Sequence, residues 1–163
     1  MIRKLFLLAA LAAVLRLTGL LPFQSSDVAE LVPVQALVIS VEAGEVRLDG
    51  GDCLGVGTDW DSAWEDLQKS GKGHVFLGTV DHVILCGEAL SLLPRVVESH
   101  LLRPAASVCS APDSVPNAKL AAEYLSAHGG AVTLRQLRAL RLRPGELRLP
   151  QLVETMGGLR IYG

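Results

Sequence analysis

Extended segments alternate with helical segments along this chain, and this alternation limits its fold more narrowly than any other feature. The two longest runs rich in β-branched residues cover residues 31–41 and 80–86. A helical pattern with two tryptophans lies between them, at residues 60–69. The order therefore predicts an α+β domain with one mixed β-sheet and helices packed on it. We expect residues 34–39 and 80–85 to form its core.

Turn and cap residues divide the rest of the chain. Residues 50–57 are rich in glycine and predict a loop, and Asn117 predicts the start of a helix. Pro94 lies inside a helical pattern and predicts a bend or restart there. The predicted strands cover residues 31–41, 46–48, 74–77, 80–86, 106–109, 147–153 and 159–162, and the predicted helices cover 60–69, 88–102, 118–127 and 133–142.

The N-terminus has the composition of a targeting segment. Residues 1–26 contain no acid, and Arg3 and Lys4 precede an uninterrupted apolar run over residues 5–15. This pattern predicts a signal peptide or an N-terminal membrane anchor helix, with the body of the protein, residues 27–163, outside the cytoplasm. Whether the segment is cleaved stays open, and a buried core helix is the alternative. The predicted membrane contacts are Leu5, Leu8, Leu11 and Leu15.

The charge of the body argues against nucleic acid as a partner. Of 15 Lys and Arg residues in the chain, three lie in residues 1–26, so 12 remain against 17 acidic residues. The body therefore carries a net charge of about −5, whereas proteins that bind nucleic acid carry a basic surface. We expect no nucleic-acid partner.

Cysteine and histidine residues offer the sharpest chemical pattern in the body. Asp81 and His82 precede Cys86 on a predicted strand, where residues 82 and 86 share a face. A thiol and an imidazole can bind zinc or act as nucleophile and base, but both uses need further partners. A partly exposed histidine and a buried cysteine are the favoured interpretation. Cys53, Cys86 and Cys109 are expected to be buried free thiols, or two of them form a disulfide that the sequence does not identify.

Glycines and acids around residue 60 give two further patterns. Gly55 and Gly57 precede a helix as in a phosphate-binding loop, but Asp59 and Asp61 would repel phosphate at the helix N-terminus. Asp59, Asp61, Glu65 and Asp66 together could bind a cation, although a solvated acidic helix start is the favoured interpretation. We predict no catalytic residue, no metal and no cofactor.

Arginines recur through the last predicted helix. Arg135, Arg138 and Arg141 are candidates for contact with an acidic partner or with lipid headgroups. The alternative is an ordinary solvated helix face.

Several segments, taken in order, carry a family resemblance. They are Leu17-Thr18-Gly19-Leu20, residues 27–31 leading into a strand, Gly57-Thr58-Asp59 with Ala63 and Leu67, residues 80–86 closing on Gly87-Glu88, residues 106–110, and finally Val132-Thr133-Leu134 followed by Leu149-Pro150 and Ile161-Tyr162-Gly163. This set resembles the N-terminal domain of the Ger(x)C family, the C subunits of spore germinant receptors in endospore-forming bacteria. The resemblance covers most of the chain as an ordered pattern.

The resemblance implies a membrane-associated, non-enzymatic part of the germination apparatus, on the outer face of the spore inner membrane. Its implied partners are the membrane and the membrane-spanning germination proteins that form the other receptor subunits. Leu20 stands where family members have the lipobox cysteine, so we expect a one-domain relative without a lipid anchor. The alternatives are an exported or secreted domain, small-ligand-binding or structural, with no role in germination, and an exported hydrolase or thiol enzyme.

Overall fold

The computed structural model describes residues 31–70, 73–129, 132–140 and 148–163. The predicted signal or anchor segment, the degenerate lipobox at Leu17, Thr18, Gly19 and Leu20, and Arg141 lie outside the described residues. Among the residues described, no helix has both the length and the apolar character needed to cross a membrane.

Nine strands and four α-helices lie within the described ranges. The strands are β1 (Leu31–Pro33), β2 (Ala36–Glu42), β3 (Glu45–Asp49), β4 (Leu54–Gly57), β5 (His74–Phe76), β6 (His82–Cys86), β7 (Ser107–Ala111), β8 (Gln151–Thr155) and β9 (Gly158–Tyr162). The helices are α1 (Trp60–Ser70), α2 (Leu93–Glu98), α3 (Ala118–His128) and α4 (Leu134–Leu140). Two 3₁₀ helices cover Leu77–Thr79 and Gly87–Leu92.

Seven of the strands form one mixed sheet, in the order β4-β3-β2-β6-β7-β8-β9. Its four central strands, β2, β6, β7 and β8, run parallel to one another. Antiparallel pairs extend it at both ends, through β3 and β4 on one side and β9 on the other. The predicted α+β class with one mixed sheet is confirmed.

The sheet separates two apolar clusters. Helices α1, α2 and α4 pack on one face, over residues such as Leu37 and Leu85. Helix α3 covers the other face, where Val38 and Ile84 lie opposite each other on β2 and β6. Because these strands are neighbours and their side chains are buried on both faces, the predicted core at residues 34–39 and 80–85 is confirmed.

Two strand predictions were wrong in detail. The predicted strand at 31–41 is divided, because the Val34 N–H donates to the Thr79 hydroxyl (3.0 Å) instead of to a neighbouring strand, and that hydroxyl in turn donates to the Phe76 carbonyl (2.8 Å). Strand β1 therefore pairs with β5 in a separate parallel pair. The predicted loop at 50–57 contains strand β4, and β4 lies so close to α1 that a Cβ added at Gly55 would be 2.6 Å from the Leu67 Cβ.

Helix boundaries follow local chemistry. The predicted helix at 88–102 is a 3₁₀ helix followed by α2, with Pro94 in the first turn of α2, so the predicted restart is confirmed. Asn117 begins α3 as predicted, and its Oδ1 accepts from the N–H groups of Lys119 (3.0 Å) and Leu120 (3.2 Å).

Side chains contact the backbone of both outermost strands of the sheet. On β4, the Val56 N–H donates to Asp66 Oδ2 of α1 at 3.0 Å. On β9, the Ile161 N–H donates to the Tyr124 hydroxyl of α3 at 3.2 Å.

Candidate functional site

Polar side chains gather where the parallel strands begin. His82 is the first residue of β6, and its side chain is only 8% exposed. Its Nδ1 lies 2.7 Å from the Oγ of Ser107, the first residue of β7, and its Nε2 lies 3.2 Å from the Oγ of Ser126 on α3. An imidazole thus joins a buried hydroxyl to one near the surface.

Burial lowers the pKa of His82, because the charged imidazolium loses hydration. The neutral ring has one donor and one acceptor nitrogen, and each neighbouring hydroxyl can serve as donor or acceptor. Ser107 Oγ can also donate to the Asp81 carbonyl oxygen, 3.4 Å away. The chain of groups can therefore be satisfied in either tautomer of His82.

The position of Ser126 bears on whether this chain of groups performs nucleophilic catalysis. Ser126 lies in the last turns of α3, where the helix dipole places partial negative charge. A negatively charged intermediate formed at its hydroxyl would be opposed by that field, since such reactions need donors aimed at the developing charge. This geometry favours a structural role for His82, which holds α3 against the start of β6.

Asp81 links the segments that meet at this edge. Its N–H donates to the Gln35 carbonyl at 2.8 Å, and its own carbonyl accepts from the Ser107 N–H at 2.8 Å. Its carboxylate forms an ion pair with Arg103. The chain before β2, the start of β6 and the loop before β7 are thereby held together at the amino-terminal edge of the parallel strands.

The structure does not bring His82 and Cys86 together. They share a face of β6, as predicted, but four residues of strand separate them by about 13 Å. Burial raises the pKa of Cys86 to about 12, so its sulfur is a protonated thiol near neutral pH. His82 is buried rather than partly exposed, because α3 and β7 cover it.

All three cysteines are buried and free. Cys53 lies in the cluster under α1, α2 and α4, whereas Cys86 and Cys109 lie in the cluster under α3. Burial, and then the nearby Cys86, raise the pKa of Cys109 to about 12. The sequence left two alternatives, three free thiols or one disulfide, and the structure has three free thiols.

Three of the four acids near residue 60 have contacts within the domain. Asp59 caps α1, since its Oδ1 accepts from the Ser62 N–H at 2.8 Å, and this contact with Ser62 lowers the pKa of Asp59. Asp61 forms an ion pair with Arg95, and Asp66 accepts from β4. Within the described ranges, no group of three or more His, Cys, Asp or Glu side chains is placed to hold a metal ion.

Arg138 has a contact that the sequence did not reveal. Its Nε donates to the Val97 carbonyl and its Nη2 to the Ser99 carbonyl, each at 2.8 Å. These carbonyls lie at the end of α2 and just after it, where helical carbonyls have no partner within the helix. Arg135 is exposed one turn earlier on α4. The sequence carried one weak signal for this role of Arg138, namely that no glycine caps the end of α2.

Two open cavities lie beside this edge. One, of about 650 Å³, is lined by Arg95, Val97, Glu98, His100 and Arg138. The other, of about 320 Å³, lies between the start of β2, the loop before β4 and α3, and its lining includes Gln35, Asp52, Lys119 and Glu123. Lys119 Nζ is 2.5 Å from Asp52 Oδ1 across that second cavity.

Comparison with known proteins gave no match to a family model, to a curated protein or to a solved structure.

Proposed function

We propose that this chain is a membrane-associated, non-enzymatic component of the spore germination apparatus, and that it acts by docking to membrane-spanning germination proteins. The N-terminal basic and apolar segment supports the membrane part of the proposal. The ordered resemblance to the Ger(x)C N-terminal domain supports the germination part.

One observation carries the proposal furthest. Two of the segments that bear the resemblance lie at the centre of the sheet, since residues 80–86 contain β6 and residues 106–110 contain all of β7 except Ala111. Gly57, Ala63 and Leu67 of the same pattern meet where β4 packs on α1, and a Cβ at Gly57 would lie 2.6 Å from the Ser62 carbonyl carbon. These parts of the resemblance therefore rest on residues that pack inside the domain, whereas Tyr162, in its last segment, is exposed.

The buried thiols support a non-enzymatic role over a thiol enzyme. A nucleophilic cysteine needs a lowered pKa and an accessible sulfur. Cys86 is 3% exposed and has a pKa raised to about 12. Its replacement by alanine should therefore leave the function of the protein intact.

The test is a germination assay in an endospore-forming host that encodes the chain. Deletion should slow the loss of optical density of spores after addition of at least one small-molecule germinant, and the parent gene should restore it. The Cys86→Ala variant should restore it equally, whereas Gly55→Val, which disrupts the contact between β4 and α1, should not. Normal germination without the gene, or absence of the chain from spore membranes, would contradict the proposal.

A second candidate is an exported small-ligand-binding domain, favoured by the 320 Å³ cavity with Lys119 and Asp52 in its wall. Opposite charges side by side suit a zwitterion such as a free amino acid. Saturable calorimetric binding of an amino acid that is lost in Lys119→Ala and kept in Lys69→Ala would favour this candidate.

A further inference from the structure

We infer that the amino-terminal edge of the sheet rests on anionic phospholipid headgroups through a basic surface formed by His100, Leu101, Arg135 and Arg138. This inference rests on the proposed membrane association and deepens it, because it names the face of the domain that meets the bilayer and the lipid chemistry that it fits.

The first support is where the chain enters the domain. Gln35 follows β1 directly, and its carbonyl accepts from the N–H groups of Asp81 (2.8 Å) and His82 (3.1 Å). Arg103, in the loop after α2, pairs with the Asp81 carboxylate. The entry of the chain and the loop at residues 99–106 therefore lie at the same edge of the sheet.

The second support is the short distance along the chain between the apolar segment and this edge. Seven residues lie between Phe23 and Leu31, and a fully extended chain from one to the other spans less than about 30 Å. If residues 5–23 stay in a bilayer, Leu31 therefore stays within about 30 Å of the end of that segment.

The third support is the chemistry of the surface itself. Arg138 is held by the carbonyls of Val97 and Ser99 through Nε and Nη2, and its Nη1 carries two more donors. Arg135 is exposed one turn away on α4, and its N–H donates to the Pro104 carbonyl at 2.8 Å. The two guanidinium groups thus belong to one helix, beside the loop at residues 99–106.

An exposed apolar side chain belongs to the loop beside these cations. Leu101 is 44% exposed although Leu102 beside it is buried. An exposed leucine next to arginines suits the interface of a bilayer, where an apolar group enters the acyl boundary and the cations meet phosphate. An acidic protein would use the arginines but would gain less from Leu101.

An acidic group beside this surface limits the expected strength of lipid binding. Glu98 lines the same 650 Å³ cavity as Arg138. Each arginine near an anionic surface contributes about 1 kcal/mol, which is about a fivefold change in binding. A few such groups orient a domain that is already tethered, although they would not hold a free domain firmly.

The experiment uses the full chain in lipid nanodiscs and measures amide hydrogen exchange over residues 99–103. Discs of phosphatidylcholine alone are compared with discs that contain phosphatidylglycerol. We expect exchange at residues 99–103 to slow at least fivefold in the anionic discs, with no change over residues 87–92 at the opposite edge. Arg135→Glu should remove this protection. Arg160→Glu, an equal change of charge on exposed β9, should keep it.

The outcomes separate the inference from the proposed function. Failure of the chain to enter either kind of disc contradicts the proposed membrane association. Entry without protection at residues 99–103 in anionic discs overturns the inference alone. Equal protection in phosphatidylcholine discs on addition of inorganic phosphate, or of poly-glutamate, also overturns it, because the surface would then bind a free anion or an acidic chain.

Discussion

Ile84 lies at the centre of the sheet, and its replacement by aspartate tests the assignment of the core most directly. Its side chain is fully buried between β2 and β7, opposite Val38 on one side and Cys109 on the other. Loss of the buried isoleucine surface costs about 1.5–3 kcal/mol. A carboxylate without a partner in this apolar cluster costs several kcal/mol more, or becomes protonated. The sum is comparable to the whole free energy of unfolding, about 5–15 kcal/mol.

The assay is urea unfolding of the full chain in a mild detergent, followed by the fluorescence of Trp60 and Trp64, which both pack in the apolar cluster on the opposite face of the sheet. Ile84→Asp should have no cooperative transition at pH 7. Ile84→Val should unfold cooperatively, with a loss of about 0.5–1.5 kcal/mol. Leu120→Asp, on the exposed side of α3, should cost little.

Acid should partly rescue Ile84→Asp. Burial raises the pKa of an introduced carboxyl in the folded state, so the part of the destabilisation that depends on its charge is absent below the unfolded pKa of about 3.9 and grows as the pH rises toward the folded pKa. The cost of the lost isoleucine packing remains at every pH. A cooperative Ile84→Asp variant within 1 kcal/mol of the parent at pH 7 would refute the assignment of this core.

Three further predictions concern other parts of the chain. Gly55→Val should lower the free energy of unfolding by about 1–3 kcal/mol or more in urea, because its Cβ would meet Leu67. Gly157→Ala, with open space around it, should change the stability little. Equal stabilities of the two variants would contradict the close packing of β4 on α1. Because burial lowers the pKa of His82, the parent protein should lose stability as the pH falls below about 6.5, and the His82→Gln variant should lose less. If the stability of both proteins falls with pH in parallel, His82 is not the group responsible. Intact-mass measurement of the chain from a host that lipidates proteins should show no diacylglyceryl group, whereas the Leu20→Cys variant should gain one. A lipidated parent, or an unmodified Leu20→Cys variant, would contradict the assignment of residues 17–20 as a degenerate lipobox.

Local signals predicted those features that depend on neighbours in sequence. The β-branched runs gave β2 and β6, and Asn117 and Pro94 gave the start of α3 and the restart at α2. The division of the first strand was missed because it depends on the Thr79 hydroxyl, 45 residues from Val34. Strand β4 was missed because glycines usually indicate a loop, and here their lack of a side chain lets a strand approach a helix.

The difference between local signals and contacts of distant residues also explains how much of the candidate site could be predicted. The shared face of His82 and Cys86 follows from the period of a strand, so it could be predicted. The actual partners of His82 are Ser107 and Ser126, which are 25 and 44 residues away and carry no local pattern. The role of Arg138 likewise depends on carbonyls 36 to 41 residues earlier in the chain.

The contacts at the two ends of the sheet bear on how the domain can assemble with other proteins. An outermost strand with unpaired backbone groups is a template for strand addition and for aggregation. Here Asp66 takes the Val56 N–H of β4, and Tyr124 takes the Ile161 N–H of β9. A partner that extended the sheet would first have to displace a side chain of α1 or α3. Partners would therefore recognise side chains on helices and loops, and copies of the domain would be hindered from joining through the edges of their sheets.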